Sequence, residues 1–436
     1  MVGGTWAAEN KTRPGAYINV KSNVIANSIS ERGSVLLPLC RSWGSADFVT
    51  VDAESDFFKL LGYEIDADEM LPIRECLKRA KTVKVWSLGT GTKASAVSGD
   101  LRVSAICGGT RGNDITVTVA SEAVGGGTQY VVTTRVLGKA VDVQRVSGIS
   151  GLKANAFVSF GGSGALQNAT LKLAGGVDAA AAASDYNAFF EKAKTEKFDV
   201  MAIDSEIAAV KEKTVQCIKY LREEEGMSVQ AVLADYAAAD YQGIISVKNG
   251  VVLRDGTVID KNKAVYWTAG AAAGAAVNES NTYSVYEGSV GVDVKYLNSQ
   301  ISEALKEGSF IFTETAKGAV VEQDINTLTS FSAENGSILR KNRVLRVLDT
   351  LVNDIQNIFN NYFLGKVNNN ADGRNLFKAQ VLNYLEGLQA ISAITDLDKN
   401  KDVTVKAGND ADSIVVNLAV MPVDSIEKLY MTVVVS

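Results

Sequence analysis

The alternation of helix and strand patterns between residues 184 and 233 constrains the fold most. Helical spacing over 184–196 leads into the strand-like run 198–203, and helical spacing over 206–225 leads into the run 229–233. Short strand runs alternating with amphipathic helices predict a mainly parallel sheet with covering helices. Residues 26–98 repeat the theme, with strands expected at 34–39, 48–51 and 82–86 and helices at 53–61 and 69–80. The segment 264–277, rich in alanine and glycine, is the most apolar helix candidate and is too short to span a bilayer. Strands at 244–247 and 251–253 flank Asn249-Gly250, a hairpin signal.

Two stretches depart from this pattern. Residues 99–176 carry short strands at 115–119, 130–134, 141–143, 156–160 and 169–173, separated by glycine-rich turns such as Gly125-Gly126-Gly127. This spacing suits a small antiparallel sandwich or barrel inserted into the α/β part. Past residue 330, Val344, Leu348, Leu351, Ile355, Ile358 and Tyr362 follow helical spacing, a second helix is expected over 373–391, and 414–421 alternates as a strand. The expected fold class is therefore mixed α/β and α+β, multidomain. The expected divisions are an N-terminal arm (1–25), the first part of an α/β domain (26–98), the inserted β-rich domain (99–176), the main α/β domain (177–330), a C-terminal helix-plus-strand domain (331–424) and a C-terminal arm (425–436).

The chain of 436 residues contains no histidine. That removes Ser-His-Asp and Cys-His catalysis and most transition-metal sites. Cys40, Cys76, Cys107 and Cys217 are widely spaced, form no CxxC pair and read as reduced, mostly buried thiols. The loop 88–94, Leu-Gly-Thr-Gly-Thr-Lys-Ala, follows a strand like a phosphate loop, yet Lys93 does not follow a glycine and no helix pattern begins after it. It reads as a linker into the insertion. Asp396, Asp398 and Asn400 have calcium-loop spacing, but Lys401 and Ala407 stand where that loop needs Gly and Glu, so a solvated turn is expected. The net charge of −6, without a run of five like charges, leaves no electrostatic footprint for nucleic acid or membrane. The first residues have neither the basic start nor the apolar stretch of a secretory signal. The residues point to no cofactor and no catalytic or metal site.

The chain ends are the other unusual feature. Near the start, Trp6 stands in a polar stretch and residues 16–20 alternate as a short strand around Tyr17, Ile18 and Val20. At the far end Leu429, Met431, Val433 and Val435 alternate with Tyr430, Thr432 and Val434, with no charge and no proline. A bare apolar strand at a terminus either sits in its own sheet or adds to one shared with another subunit. Arg340, Lys341, Arg343 and Arg346 open the helix that follows residue 339. Arg343 and Arg346 fall on its polar face, either as an ordinary solvated face or as a docking face for an acidic partner.

Several segments carry a family resemblance. The stretch 3–20, Gly-Gly-Thr-Trp-Ala-Ala-Glu-Asn-Lys-Thr-Arg-Pro-Gly-Ala-Tyr-Ile-Asn-Val, resembles the opening of tail sheath proteins from contractile bacteriophages, prophages and phage-tail-like bacteriocins of Gram-positive bacteria. Residues 32–35 with Trp43-Gly44, the glycine turn 173–178, the alanine-glycine segment 269–278 and the basic opening 340–349 resemble further parts in the same order. The resemblance implies a structural subunit, not an enzyme, that stacks with itself as helical six-membered rings around an inner tail tube. Contraction would drive the tube through a bacterial envelope, and baseplate and tail terminator proteins would be further partners. It also implies exchanged arms centred on Trp6, Tyr17, Ile18, Val20, Leu429, Tyr430, Met431, Val433 and Val435, joined to the C-terminal domain of a neighbour. Arg340, Lys341, Arg343 and Arg346 would face the tube and the inserted domain would lie outside. The particle would be a virion tail or a bacteriocin, assembled in the host cytoplasm. A secretion-type contractile system is a close variant. An α/β hydrolase-like enzyme and an adhesin using the β-rich insertion are the other readings.

Overall fold

A computed structural model describes residues 29–44, 47–125, 127–333 and 336–435, with the backbone alone at 3–4 and 16–17. The chain divides into a large unit (31–353 and 422–436) and a smaller one (354–421, with the residues up to 30).

The large unit is organised by a seven-stranded sheet in the order Ser309–Phe310, Ile244–Val247, Gln230–Ala234, Val200–Ile203, Ser34–Leu39, Thr82–Ser87, Val49–Val51. Every neighbouring pair is parallel except the edge strand Val49–Val51, which runs antiparallel to Thr82–Ser87. Successive side chains point to opposite faces, which separates two apolar layers. Leu36, Met201, Ile203, Leu233 and Ile244 pack with Phe189, Phe190, Ile218 and Leu221 of helices Ala183–Ala193 and Ala208–Glu223. Val35, Leu37, Val200, Ala202, Val232 and Ile245 face helix Lys261–Gly274.

That helix is buried on almost every side, as its composition suggests. Its glycines let it lie against helix Leu71–Leu77: a Cβ on Gly270 would stand 2.4 Å from the Cys76 carbonyl oxygen, and one on Gly274 would stand 1.8 Å from that of Arg79.

The insertion leaves the sheet at Thr92 and returns at Val177, which bond to each other in both directions (2.8 and 3.2 Å). Gly91, at φ +44°, allows this neck to close, since a Cβ there would meet the Val177 carbonyl at 2.5 Å. The loop 88–94 is thus the linker expected. The insertion holds a four-stranded antiparallel sheet, Lys139–Val146, Gly127–Val136, Ile115–Val124, Ala169–Lys172, and a three-stranded one, Val158–Gly161, Leu101–Ala105, Ser95–Ser98.

Three differences from the sequence expectation have physical reasons. Asn249-Gly250 makes no hairpin: Val251–Leu253 pairs with Val258–Ile259 and Ser289–Val292, not with Ile244–Val247. Asn249 is buried instead, donating to the Phe312 carbonyl (3.0 Å) and accepting from the Phe312 amide (2.9 Å). Strands Ser95–Ser98 and Leu101–Ala105 were not anticipated, being short and flanked by turn residues. Finally, the division between units falls inside helix Asn342–Ile358, not at residue 330, because its first half buries Val344, Leu345, Val347 and Leu351.

The smaller unit packs helix Ala371–Ala390 on the hairpin Val403–Ala407/Ile414–Leu418. Phe363 and Phe377 meet edge to face, with ring centroids 4.9 Å apart. The turn before that hairpin uses its acidic residues locally: Asp398 accepts from the Asn400 amide at 3.0 Å and Asp402 from the Asp398 amide at 2.7 Å.

The Gly274 contact generates a test. Gly274→Ala is expected to lower stability by about 1–3 kcal/mol through overpacking, although alanine is intrinsically the better helix former by about 1 kcal/mol. Gly387→Ala, in helix Ala371–Ala390 with open space at its Cβ, is expected to be neutral or stabilising. Denaturant unfolding checks both, and equal effects would contradict the packing account.

Candidate subunit-linking sites

The large unit is polar where helix Asn342–Ile358 begins. Arg346 is fully buried, with its guanidinium 3.5 Å from Asp324 and a second nitrogen donating to the Glu279 carbonyl. Burial draws its pKa below the ordinary arginine value, and Asp324 partly offsets this. Asp324 also accepts from the Asn342 amide group (2.9 Å) and the Asn281 backbone N–H (3.0 Å). Arg343 is buried too and donates to the Asn278 carbonyl at 2.8 Å. One turn on, Asp349 receives Arg222 at two nitrogens, 2.8 and 2.6 Å. The polar face of the helix therefore points inward at Arg343 and Arg346, which corrects the solvated-face expectation. Helical spacing separates polar from apolar positions, but it does not tell solvent from a buried network of carboxylates and carbonyls. Arg340 and Lys341 are half-buried.

The C-terminal segment is rooted beside this network. The Glu427 carboxylate accepts from Thr282 Oγ1 (2.9 Å), Gln323 Nε2 (2.8 Å) and Lys341 Nζ. Ser425 Oγ adds a contact at 3.2 Å, and Asp424 lies 3.6 Å from Lys341. Burial works against the charge of Glu427, but the donors outweigh it and hold its pKa below the usual glutamate value. Past Lys428 the chain is free in the single subunit. Leu429, Tyr430, Met431, Val433 and Val435 are 71–91% exposed, and residues 423–435 belong to no strand. The alternating end is therefore not folded into its own sheet.

The other end is described less fully. Trp6, Ile18 and Val20 lie outside the described residues, as does the Tyr17 side chain; the backbones of Gly3–Gly4 and Ala16–Tyr17 pair in parallel. Ser30 gives the first described anchor in the smaller unit, where its amide (3.1 Å) and hydroxyl both donate to Asp354. Tyr384 Oη donates to the same carboxylate at 2.7 Å, and burial with that negative partner pushes the phenol pKa up, keeping it a donor. This anchor was missed because a serine 324 residues away from an aspartate carries no local pattern.

The remaining sheet feature is an edge. Among the described residues, Ile414–Leu418 pairs only with Val403–Ala407, leaving its outer side open. By contrast, the place where a parallel sheet commonly receives ligands is occupied. Strand order reverses between Ser34–Leu39 and Val200–Ile203. The chain returning from the insertion lies beside that point, with Cys40 Sγ donating to the Ala179 carbonyl (3.4 Å) and Ser42 Oγ to Asp178 (3.1 Å). No group of acidic or cysteine side chains among the described residues is arranged to hold a metal ion.

Two tests follow from these anchors. Removing one member of the buried pair, by Arg346→Ala or Asp324→Ala, is expected to cost about 3–5 kcal/mol, against under about 1 kcal/mol for Lys399→Ala, whose pairing with Glu386 is exposed; thermal or denaturant unfolding separates them. The second concerns pH. A carboxylate with a depressed folded pKa stabilises above its unfolded value and loses that contribution as pH falls through the folded value. The Glu427 root is thus expected to hold at neutral pH and to open below about pH 4. The Glu427 carboxyl carbon shift, followed by NMR, should titrate below the ordinary glutamate value and show no change between pH 6 and 8; a midpoint at or above that value would contradict the root.

Comparison with known proteins places the chain in a family. Residues 179–327 match the phage tail sheath protein central domain, 334–436 the phage tail sheath C-terminal domain, and 32–86 the N-terminal region of domain III of the tail sheath protein Gp18. The phage-like element PBSX protein XkdK of Bacillus subtilis (strain 168) is 37% identical over 465 residues, covering 99% of both chains. The crystal structure of the sheath tail protein from Desulfitobacterium hafniense is 45% identical, with a TM-score of 0.85 over 96% of this chain and 99% of that one. The helical sheath of the anti-feeding prophage in its contracted state shares the fold, at 10% identity and a TM-score of 0.59 over 97% and 99% of the two chains. The chain belongs to the phage tail sheath protein family, whose members are structural proteins and not enzymes.

Proposed function

We propose that this chain is the repeating subunit of a contractile tail sheath. Copies stack as six-membered rings around an inner tail tube, between baseplate and terminator proteins, in a phage tail or a tail-like bacteriocin. Contraction then drives the tube through a bacterial envelope. The N-terminal arm around Trp6, Tyr17, Ile18 and Val20 and the C-terminal arm of Leu429, Tyr430, Met431, Val433 and Val435 join the smaller unit of a neighbour in one exchanged sheet. Head-to-tail contacts of this kind build open helical arrays.

The observation that carries this reading is the exposed apolar end. Seven residues with the alternation of a strand stand in water next to a firmly held root. Such a segment is an aggregation hazard unless a sheet edge receives it. Ile414–Leu418 offers such an edge, and in a neighbouring copy it is the acceptor we assign. Of the four basic residues suggested for the tube, Arg343 and Arg346 are engaged inside the subunit and Lys341 holds Glu427, so tube contact falls to Arg340. The insertion, leaving through a narrow neck, suits the outer surface.

Truncation after Lys428 tests the reading. It removes the exposed strand and keeps the root. Electron microscopy should find tubes or stacked rings from the full chain and none from the truncated one, with unchanged thermal unfolding. Deleting residues 1–21 should act alike. Polymers of normal length from either shortened chain would sink the exchange.

A further inference from the structure

We infer that Glu427 is a latch that fixes the exit point of the C-terminal strand, and that Asp324 is the positioning residue that ties this latch to the start of helix Asn342–Ile358. The inference rests on the exchanged-arm reading for its purpose, but its geometry stands alone. Three elements converge on one carboxylate: Thr282 from the loop after helix Lys261–Gly274, Gln323 from just after strand Gly318–Val321, and Lys341 from the residue before the long helix. Glu427 is the last side chain with such a hold; Leu429 onward is exposed.

Thr282 is what links latch and hub. Its hydroxyl donates to Glu427, and its oxygen accepts from the Asp324 backbone amide at 3.0 Å. One bond in and one bond out leave the hydroxyl a single orientation. The Asp324 side chain holds Asn342 and Arg346 of the long helix and the Asn281 amide beside Thr282. The chain of contacts Glu427–Thr282–Asp324–Arg346 therefore joins the arm root to the helix through groups that can be paired only in one arrangement. Segment 424–427 forms one wall of an open groove of about 550 Å³ with Asn278, Ser280, Thr282, Tyr283 and Arg343 opposite, so an unlatched root has room to swing. The charged groups around Glu427 are Lys341, Asp424, Arg343, Arg340, Lys428, Glu322 and Lys306. Lys341 is the one in contact with its carboxylate. With the latch closed, the strand leaves at Lys428; with it open, the pivot moves back towards Pro422 and the strand loses a defined starting point.

Tryptic cleavage after Lys428, on chain kept unassembled at low concentration, reads the latch without reference to polymers. Thr282→Val and Lys341→Met leave the sequence around that bond untouched. Each is expected to speed cleavage about tenfold, as loss of charge-assisted hydrogen bonds opens the root, with unfolding temperature within a few degrees of the parent. Asp324→Asn, which keeps the shape, is expected to give a smaller acceleration of about threefold. Parent-like cleavage in both Thr282→Val and Lys341→Met would overturn the latch. That outcome is distinct from failure of the exchanged arm, which would appear as normal polymers from the chain ending at Lys428 whatever the latch variants do.

Discussion

The ion pair between Arg346 and Asp324 supports the rest of the arrangement. A fully buried guanidinium is costly to desolvate, and it persists only where its charge and its hydrogens are met. Here Asp324 meets the charge and, with the Glu279 carbonyl, engages both terminal nitrogens, while Nε stays without a partner among the described residues. Because Asp324 also holds Asn342, Asn281 and, through its own amide, Thr282, the pair decides where the long helix starts and where the last anchored residue of the chain sits. A buried pair of this sort is weak as a source of net stability but strict about geometry. That strictness suits the exchanged-arm reading proposed above, which needs ends that leave the body in fixed directions.

Both ends of the described chain are tied by carboxylates. Glu427 collects donors from three separate elements, and Asp354 collects Ser30 and Tyr384. Each tie fixes the root of a segment, and at the C-terminal end residues 429–435 beyond it stand exposed in the single subunit. Rigid body, fixed root and free strand are the three requirements of a tether that stays attached while the bodies it joins move past one another. The β-rich insertion answers a different need: its neck is two chains wide at Thr92 and Val177, so its size and surface can vary without disturbing the sheet.

Much of this was legible in the sequence, and the failures have identifiable causes. The parallel sheet could be read because Val200–Ile203 and residues 231–234 are continuous apolar runs between amphipathic helices. The alternation of Leu429 to Val435, without charge or proline, could be read, but not which of its two fates it takes; in the single subunit the segment is exposed and belongs to no strand. Arg343 and Arg346 were misjudged because polarity along a helix does not distinguish water from the distant Asn278 carbonyl and Asp324 as partners. Asn249-Gly250 was misjudged because the asparagine amide pairs with Phe312, 63 residues on, a tertiary bond that overrides turn preference. The Glu427 root was invisible for the same reason: Thr282, Gln323 and Lys341 are scattered, and nothing local marks them as three donors for one acid.

The central claim is that residues 429–435 complete a sheet in a neighbouring subunit while their own root stays latched. A cryo-electron microscopy reconstruction of tubes formed by the full chain, at side-chain resolution, tests it most directly. The account predicts residues 429–435 as a strand hydrogen-bonded along the outer edge of Ile414–Leu418 of a different copy, with Glu427 still on Lys341 of its own. A strand folded back onto its own subunit, or left unpaired in the assembled tube, would contradict it.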